Sequence, residues 1–234
     1  MPKQRHPIRC SGTERHPSPV TAKEHIMGII VVDLFITLDG VYQAPGGPEE
    51  DTSNDFELGG WQGAYLDDET GETIGAGIDR LQALLLGRKT YDIFADYWPK
   101  VSDEEPIAAK FNAVPKFVAS RTLTDPSWAG TTVITDVATE VAAIRDRFDE
   151  IHVIGSGDLA RTLIAEGLVD RLNLWVYPIT LGAGKRLWAD GLAPTAFTLA
   201  EPPKAFPKGA IQLVYTPAGP PITGYDMAAE GLQT

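Results

Sequence analysis

Short runs of β-branched and aliphatic residues recur along this chain, most of them followed by a glycine or polar turn and a helically spaced stripe. Ile29 to Leu38 is almost continuously apolar, the pattern of a strand covered on both faces. Ile74, Ile78 and Leu81, spaced by four and three, predict one face of a helix. Ala83-Leu84-Leu85-Leu86 predicts a strand stopped by Gly87, with a short helix over Tyr91 to Tyr97 closed by Trp98-Pro99. Lys116 to Ser120 and Thr132 to Ile134 predict two more strands around the turn-like Pro126 to Gly130. Thr135 or Asp136 is placed to cap a helix carrying Val137, Val141, Ile144 and Phe148. Ile151 to Ile154 predicts a strand, Leu159 to Ala165 a helix ending at Gly167, and Leu172 to Tyr177 a strand. Thr195 to Ala200 and Ile211 to Tyr215 suit an antiparallel hairpin. This alternation implies an α/β fold: a mixed, mainly parallel sheet flanked by helices, with an antiparallel C-terminal edge.

The 234 residues can form one large domain, and 20 basic against 32 acidic residues give a formal charge of −12. Such a surface repels phosphate backbones and anionic lipid, so neither nucleic acid nor membrane is expected as a partner. A single cysteine, Cys10, excludes an intrachain disulfide and a Cys-rich zinc site. No run approaches the ~18 apolar residues of a membrane span, and the chain reads as a cytoplasmic globular protein. Residues 1–26 differ in kind. They carry five basic and two acidic residues, three of the four histidines and no apolar periodicity. They read as a disordered extension or an upstream-start artefact, with a basic targeting or interaction arm as the other reading. The domain is expected over 27–216, and 217–234 as a Pro- and Gly-rich tail or strap.

Three strand ends carry sequence suited to phosphate. Gly87-Arg88-Lys89-Thr90 places a glycine, two cations and a hydroxyl at a helix start, where free N–H groups and the macrodipole attract anions. Ser120-Arg121 follows Phe117-Val118-Ala119. Gly155-Ser156-Gly157-Asp158-Leu159-Ala160 fits the G-x-G-x-x-A variant of a dinucleotide loop, although a Rossmann unit would place it after the first strand. Each segment alone also suits an ordinary turn. Together, at the carboxyl ends of strands in one parallel sheet, they mark a ligand edge. The loop from Asp39 to about Gly63 is long enough to be functional. His152, the only histidine past residue 26, reads as a packed strand residue rather than a base, and with no cysteine near it no metal is expected. Neither G-x-S-x-G, a Walker loop nor a zinc-deaminase signature occurs. Glu49-Glu50-Asp51 reads as a solvated loop and Asp67-Asp68-Glu69 as a helix N-terminus. Phosphate cradles without a nucleophile or metal site point to a protein whose cofactor carries the reaction.

Thr37-Leu38-Asp39-Gly40, Leu86 to Tyr91, Val118 to Arg121, Ile154 to Gly157 and Tyr177-Pro178-Ile179-Thr180-Leu181-Gly182-Ala183-Gly184 occur in this order. The ordered set resembles the dihydrofolate-reductase-like superfamily, in its riboflavin-biosynthesis reductase branch, over about residues 28–216. The resemblance implies an NADPH-dependent reductase with a mixed eight-stranded sheet. It implies that Gly87, Arg88, Lys89 and Thr90 contact the 2′-phosphate and pyrophosphate, that Ser120 and Arg121 hold the adenosine side, and that Gly155, Ser156, Gly157, Asp158 and Leu159 hold the pyrophosphate. Arg88 and Arg121 favour NADP over NAD, because a 2′-phosphate needs a cationic partner. The nicotinamide is implied near Thr37 to Gly40. That ranks Asp39 first as proton donor, ahead of Asp55 and Glu57, with a turn residue before Gly40 as the other reading. The Tyr42 to Trp61 loop looks like that of a stand-alone subgroup and is implied to border the substrate. Phe56, Trp61 and Trp98 suit stacking on a flat substrate or, equally, core packing. The implied activity is hydride transfer to the C=N or C=O carbon of a small pyrimidine- or pterin-like heterocycle. The alternatives are a non-catalytic NADP(H)-binding protein of the same fold and a dihydrofolate or pterin reductase. Homodimerisation rests on the resemblance alone.

Overall fold

The computed structural model describes residues 27–188 and 190–226, so the expectations for residues 1–26 and for the last eight residues fall outside it. Strand β1 (Ile29–Thr37) is followed by the long loop and then by helix α1 (Asp68–Arg80). β2 (Ala83–Gly87) runs directly into α2 (Arg88–Tyr97), and α3 (Pro106–Ala113) precedes β3 (Lys116–Ala119). Then come β4 (Thr131–Ile134), α4 (Val137–Arg145), β5 (Glu150–Ile154), α5 (Gly157–Ala165) and β6 (Arg171–Tyr177). β7 (Phe197–Leu199), β8 (Lys204–Ala205) and β9 (Ile211–Pro217) complete the chain of elements.

The sheet order is β4-β3-β2-β5-β1-β6-β9-β7, with β8 paired on β9. From β4 to β6 every pairing is parallel, and β9 is antiparallel to β6, β7 and β8. The mixed, mainly parallel sheet with an antiparallel edge is therefore present, with nine strands rather than eight. The extra strand is two residues long and follows Pro202-Pro203, too short to leave a period in the sequence. Two helix starts differ: α2 begins at Arg88, so the Gly-Arg-Lys-Thr segment supplies its first turn, and α5 begins at Gly157. Of the two capping candidates for α4, Asp136 is the cap. α3, opened by Pro106 at its first turn, has no counterpart in the sequence reading.

The continuous apolar run of β2 has a simple cause. Ala83 and Leu85 pack with α4 and α5 on one face, while Leu84 and Leu86 pack with Leu81, Tyr91 and Phe111 on the other. α1 packs through half-buried Ile74 and Ile78, and of its residues only Thr70 is buried. The space beneath it is where the site lies.

Candidate functional site

β3, β2 and β5 are neighbours, so the three expected cradle loops leave adjacent carboxyl ends. Two of them are stitched together. The Gly87 N–H donates to the Ser156 hydroxyl at 3.0 Å, and the Ser156 N–H donates to the Thr90 hydroxyl at 3.0 Å. Ser156 is left-handed, φ 53°, a strained geometry for a residue with a side chain that these bonds hold in place. α2 and α5 thus begin side by side, and neither has a side-chain N-cap. The carboxylates of Asp67 and Asp136 cap α1 and α4. The two bare helix starts present unpaired first-turn N–H groups and two dipoles to one place.

They open on a cleft of about 1080 Å³, floored by the sheet and walled by α1 and by residues 42–46, 50 and 51 of the long loop. Gly87, Arg88, Lys89, Thr90 and the segment from Gly155 to Leu159 line it. The Arg88 Nε–H is shared between the two Asp92 carboxylate oxygens at 2.8 and 2.9 Å, and Lys89 reaches Asp51 at 3.6 Å. The turn after β3 comes beside Arg88 through the Thr122 hydroxyl at 3.5 Å. Ser120 and Arg121 themselves stay outside the cleft. Ser120 spends its hydroxyl on the amides of Thr122 and Leu123, and Arg121 is exposed. Gly157 has its own constraint: a Cβ there would stand 2.2 Å from the Tyr42 ring, which lies across the first turn of α5.

Asp39 and Thr37 are elsewhere. Thr37 and Asp39 line a second hollow with Leu174, Trp188 and Phe197, and neither is among the residues lining the cleft. Burial opposes the charge on Asp39, but the Thr37 hydroxyl, the Gly182 and Leu181 amides and Arg186 outweigh it and hold its carboxyl well below the usual range. The structure places Asp39 in the turn before Gly40 with its carboxylate committed to these partners, an arrangement that does not favour proton donation. Thr37 is buried, its hydroxyl donating to Asp39 and accepting from the Val41 amide. The Thr-Leu-Asp-Gly and Tyr-Pro-Ile-Thr-Leu-Gly-Ala-Gly segments therefore serve each other. Phe56 and Trp61 are likewise core residues. Phe56 packs with Val41 and Ala44, while Trp61 meets Tyr177 edge-on and donates from its indole to the Gln43 carbonyl at 2.8 Å. Among the three aromatic candidates only Trp98 lines the cleft. Asp55 and Glu57 are exposed and stand outside the cleft lining. The acidic tract is not a solvated loop: Asp51 is buried on Lys185 at 2.6 Å, and burial pushes the Glu50 carboxyl upward.

The cleft floor carries a polar row that the sequence reading missed. Gln212 donates to Asn173 at 3.0 Å, and Asn173 donates to Asp33 at 2.7 Å. The ring of His152 lies 2.6 Å from Asp33 through Nδ1 and 2.9 Å from Glu150 through Nε2. Both partners are carboxylates, which accept when ionised, so both ring nitrogens donate and the ring is an imidazolium. Burial alone would lower its pKa, but the contacts with Asp33 and Glu150 prevail and raise it. His152 is indeed packed, at 2 % exposure, though as a buried cation. A visible signal was Asp33 itself, a charge inside an otherwise apolar strand.

Fold and site together define a mixed α/β protein with a cleft at the carboxyl edge of its sheet, on which two uncapped helix starts open. The chain belongs to the RibD C-terminal domain family, whose model matches residues 29–204. It is 27% identical over 190 residues to the uncharacterized protein YyaP of Bacillus subtilis (strain 168), spanning 80% of this chain and 93% of that one. A solved structure from Shewanella sp. PV-4, provisionally assigned to riboflavin biosynthesis, superposes with a TM-score of 0.59 at 18% identity, covering 81% of this chain and 98% of its own. Dihydrofolate reductase from Enterococcus faecalis, solved with NADP(H), superposes with a TM-score of 0.51 at 14% identity, covering 82% and 98%. The fold is dihydrofolate-reductase-like, and family and fold are reductase-like. Among the described residues no helix is long and apolar enough to cross a membrane, and no acidic, His or Cys cluster is arranged to hold a metal.

Proposed function

We propose that this chain is an NADPH-dependent reductase that transfers a hydride to the C=N or C=O carbon of a small heterocycle. The observation that carries the reading is the pair of uncapped, cross-linked helix starts, α2 and α5, opening on one cleft beside Arg88 and Lys89. Their first-turn amides and the two cations suit the phosphates of a dinucleotide. When bound, the reduced nicotinamide would supply the hydride. The chain's own part is to orient the substrate on the sheet floor under α1 and to exclude water. The NADP(H) held by the enterococcal neighbour supports this choice of cofactor.

Titration of the full chain with NADPH and NADH, read by nicotinamide fluorescence, tests the reading. Saturable NADPH binding is expected, with NADH weaker by about tenfold or more, and Arg88→Ala with Lys89→Ala raising the NADPH Kd by about tenfold. A folded protein that binds neither dinucleotide overturns it. NADPH oxidation with a panel of dihydrofolate, dihydropterins and aminopyrimidines then separates an enzyme from a protein that only binds the dinucleotide.

A further inference from the structure

With Asp39 committed to its turn, the reduction needs another source for the proton that must accompany the hydride. The acids lining the cleft are mostly engaged away from its floor. Glu50 accepts from the amides of Gly46 and Gly47, Asp51 holds Lys185, Asp92 holds Arg88, and Asp158 pairs with Arg161. Asp33 differs in place and in partners. It stands opposite Ile154 in the sheet register, and its carbonyl accepts from the Gly155 N–H at 3.1 Å, so it adjoins the start of the dinucleotide loop. Its side chain lines the cleft and is 17 % exposed, while the imidazolium behind it is 2 % exposed.

We propose that Asp33 is the proton donor of the reduction, and that His152 is the positioning residue that stores the proton behind it. The inference rests on the reductase reading above. The carbon of a C=N or C=O bond gains a hydride from NADPH, which leaves as NADP⁺. The π pair moves to the nitrogen or oxygen, and that atom takes a proton that the Asp33 carboxylate draws from Nδ1 of His152 and passes on. The transfer across the 2.6 Å contact leaves Asp33 ionised again and His152 neutral, its remaining proton on Nε2. Nδ1 is reprotonated from solvent through Asp33 once product leaves the cleft, while Nε2 keeps its proton on Glu150, which Arg80 of α1 meets at 3.4 Å.

The surroundings suit storage of a proton. The charged groups facing His152 are Asp33 from β1 and Glu150 from its own strand, with Arg80 acting through Glu150. The neighbouring strand β2 offers Leu84, and Arg171 on β6, in the same cleft, is turned to Glu201 at 3.5 Å. Two carboxylates around one buried cation keep the ring protonated without an external counter-ion. Asn173 and Gln212 fix the Asp33 carboxylate from the other side, so the row spans β5, β1, β6 and β9 in one orientation.

The test uses the full chain, NADPH and whichever acceptor of the panel is reduced. Asp33→Asn is expected to lower kcat by about 100-fold or more while leaving the NADPH Kd within about twofold. His152→Gln is expected to move the alkaline limb of the kcat profile by about one pH unit toward acid with KM unchanged, and Glu150→Gln to move it less in the same direction. Side-chain NMR supplies a readout without turnover. The imidazole signal missing from His152→Gln should be doubly protonated at about pH 7.5 and become neutral in Asp33→Asn. Wild-type turnover that persists in Asp33→Asn, an unmoved pH profile in His152→Gln, or a neutral wild-type ring each overturns the proposal and leaves the reductase reading standing. A wild-type chain that binds no NADPH, or oxidises it with no panel member, fails the reductase reading itself, and the proposal with it.

Discussion

At the scale of single residues, Asp39 shows how a motif residue can be structural. Its two carboxylate oxygens take the Thr37 hydroxyl and the amides of Leu181 and Gly182, while Arg186 closes the ion pair at 3.2 Å. Asparagine in its place keeps the shape but loses the charge and half of the acceptor capacity, so two amides and a guanidinium compete for one oxygen. Asp39→Asn should cost about 1–3 kcal/mol at neutral pH, measured by denaturant unfolding. The sign of the pH effect follows from the lowered folded-state pKa. The stabilisation is complete above the ordinary value of 3.8 and is lost as pH falls below it, because the unfolded chain protonates first. The acid limb of the stability curve should therefore be flatter in the variant than in the wild type. NADPH affinity should hold, since Asp39 is not among the residues lining the cleft. A fall in affinity as large as that in Arg88→Ala would return Asp39 to the site.

At the scale of elements, the joint between α2 and α5 fixes two uncapped helix starts beside each other, the arrangement on which the proposed phosphate site rests. Thr90 accepts the Ser156 N–H, and Ser156 in turn accepts the Gly87 N–H, so each loop holds the other's backbone. Thr90→Val keeps the volume, removes the acceptor and leaves a buried N–H unpaired, at about 1–3 kcal/mol. It should weaken NADPH binding by about fivefold or more, and Thr90→Ser, which keeps the hydroxyl, should restore most of it. Equal affinity in the valine variant would show that the joint is only structural. The sequence revealed much of this arrangement, because glycine, cations and hydroxyls after apolar runs are local signals. The βα alternation implied a mainly parallel sheet, and the strand order of that sheet brings the ends of β2 and β5 together. Long-range pairings were harder to read. Nothing local in Asp39 announces Arg186, and nothing in Phe56 or Trp61 distinguishes a stacking surface from the packing that pins a long loop. Asp33 and His152 are separated by 119 residues and meet only because β1 lies beside β5. α3 escaped because its eight residues carry only a weak apolar stripe, and β8 because two residues have no period.

At the scale of the whole molecule, the two cores on either side of the sheet share strands. β2 contributes Leu85 to one and Leu84 and Leu86 to the other, and β3 divides Phe117 and Val118 in the same way. Neither core can dissolve without stripping a face from strands that the other needs, so the described domain should unfold as one unit. The cleft is built from that same unit, with floor residues on β1, β5, β6 and β9 and walls from α1, α2 and α5. A ligand held there binds the native state and not the unfolded chain, and its free energy of binding adds to the stability of the entire domain. At a free NADPH concentration of about 100 times its Kd, the added stability is about 2.7 kcal/mol. For a domain of this size each kcal/mol moves the Tm by about 2–4 °C, so calorimetry should show one transition displaced upward by about 5–11 °C. NADH at the same concentration should move it less. Two transitions, with only one responding to NADPH, would mean that the sheet does not couple its two faces and that the cleft belongs to a smaller cooperative unit.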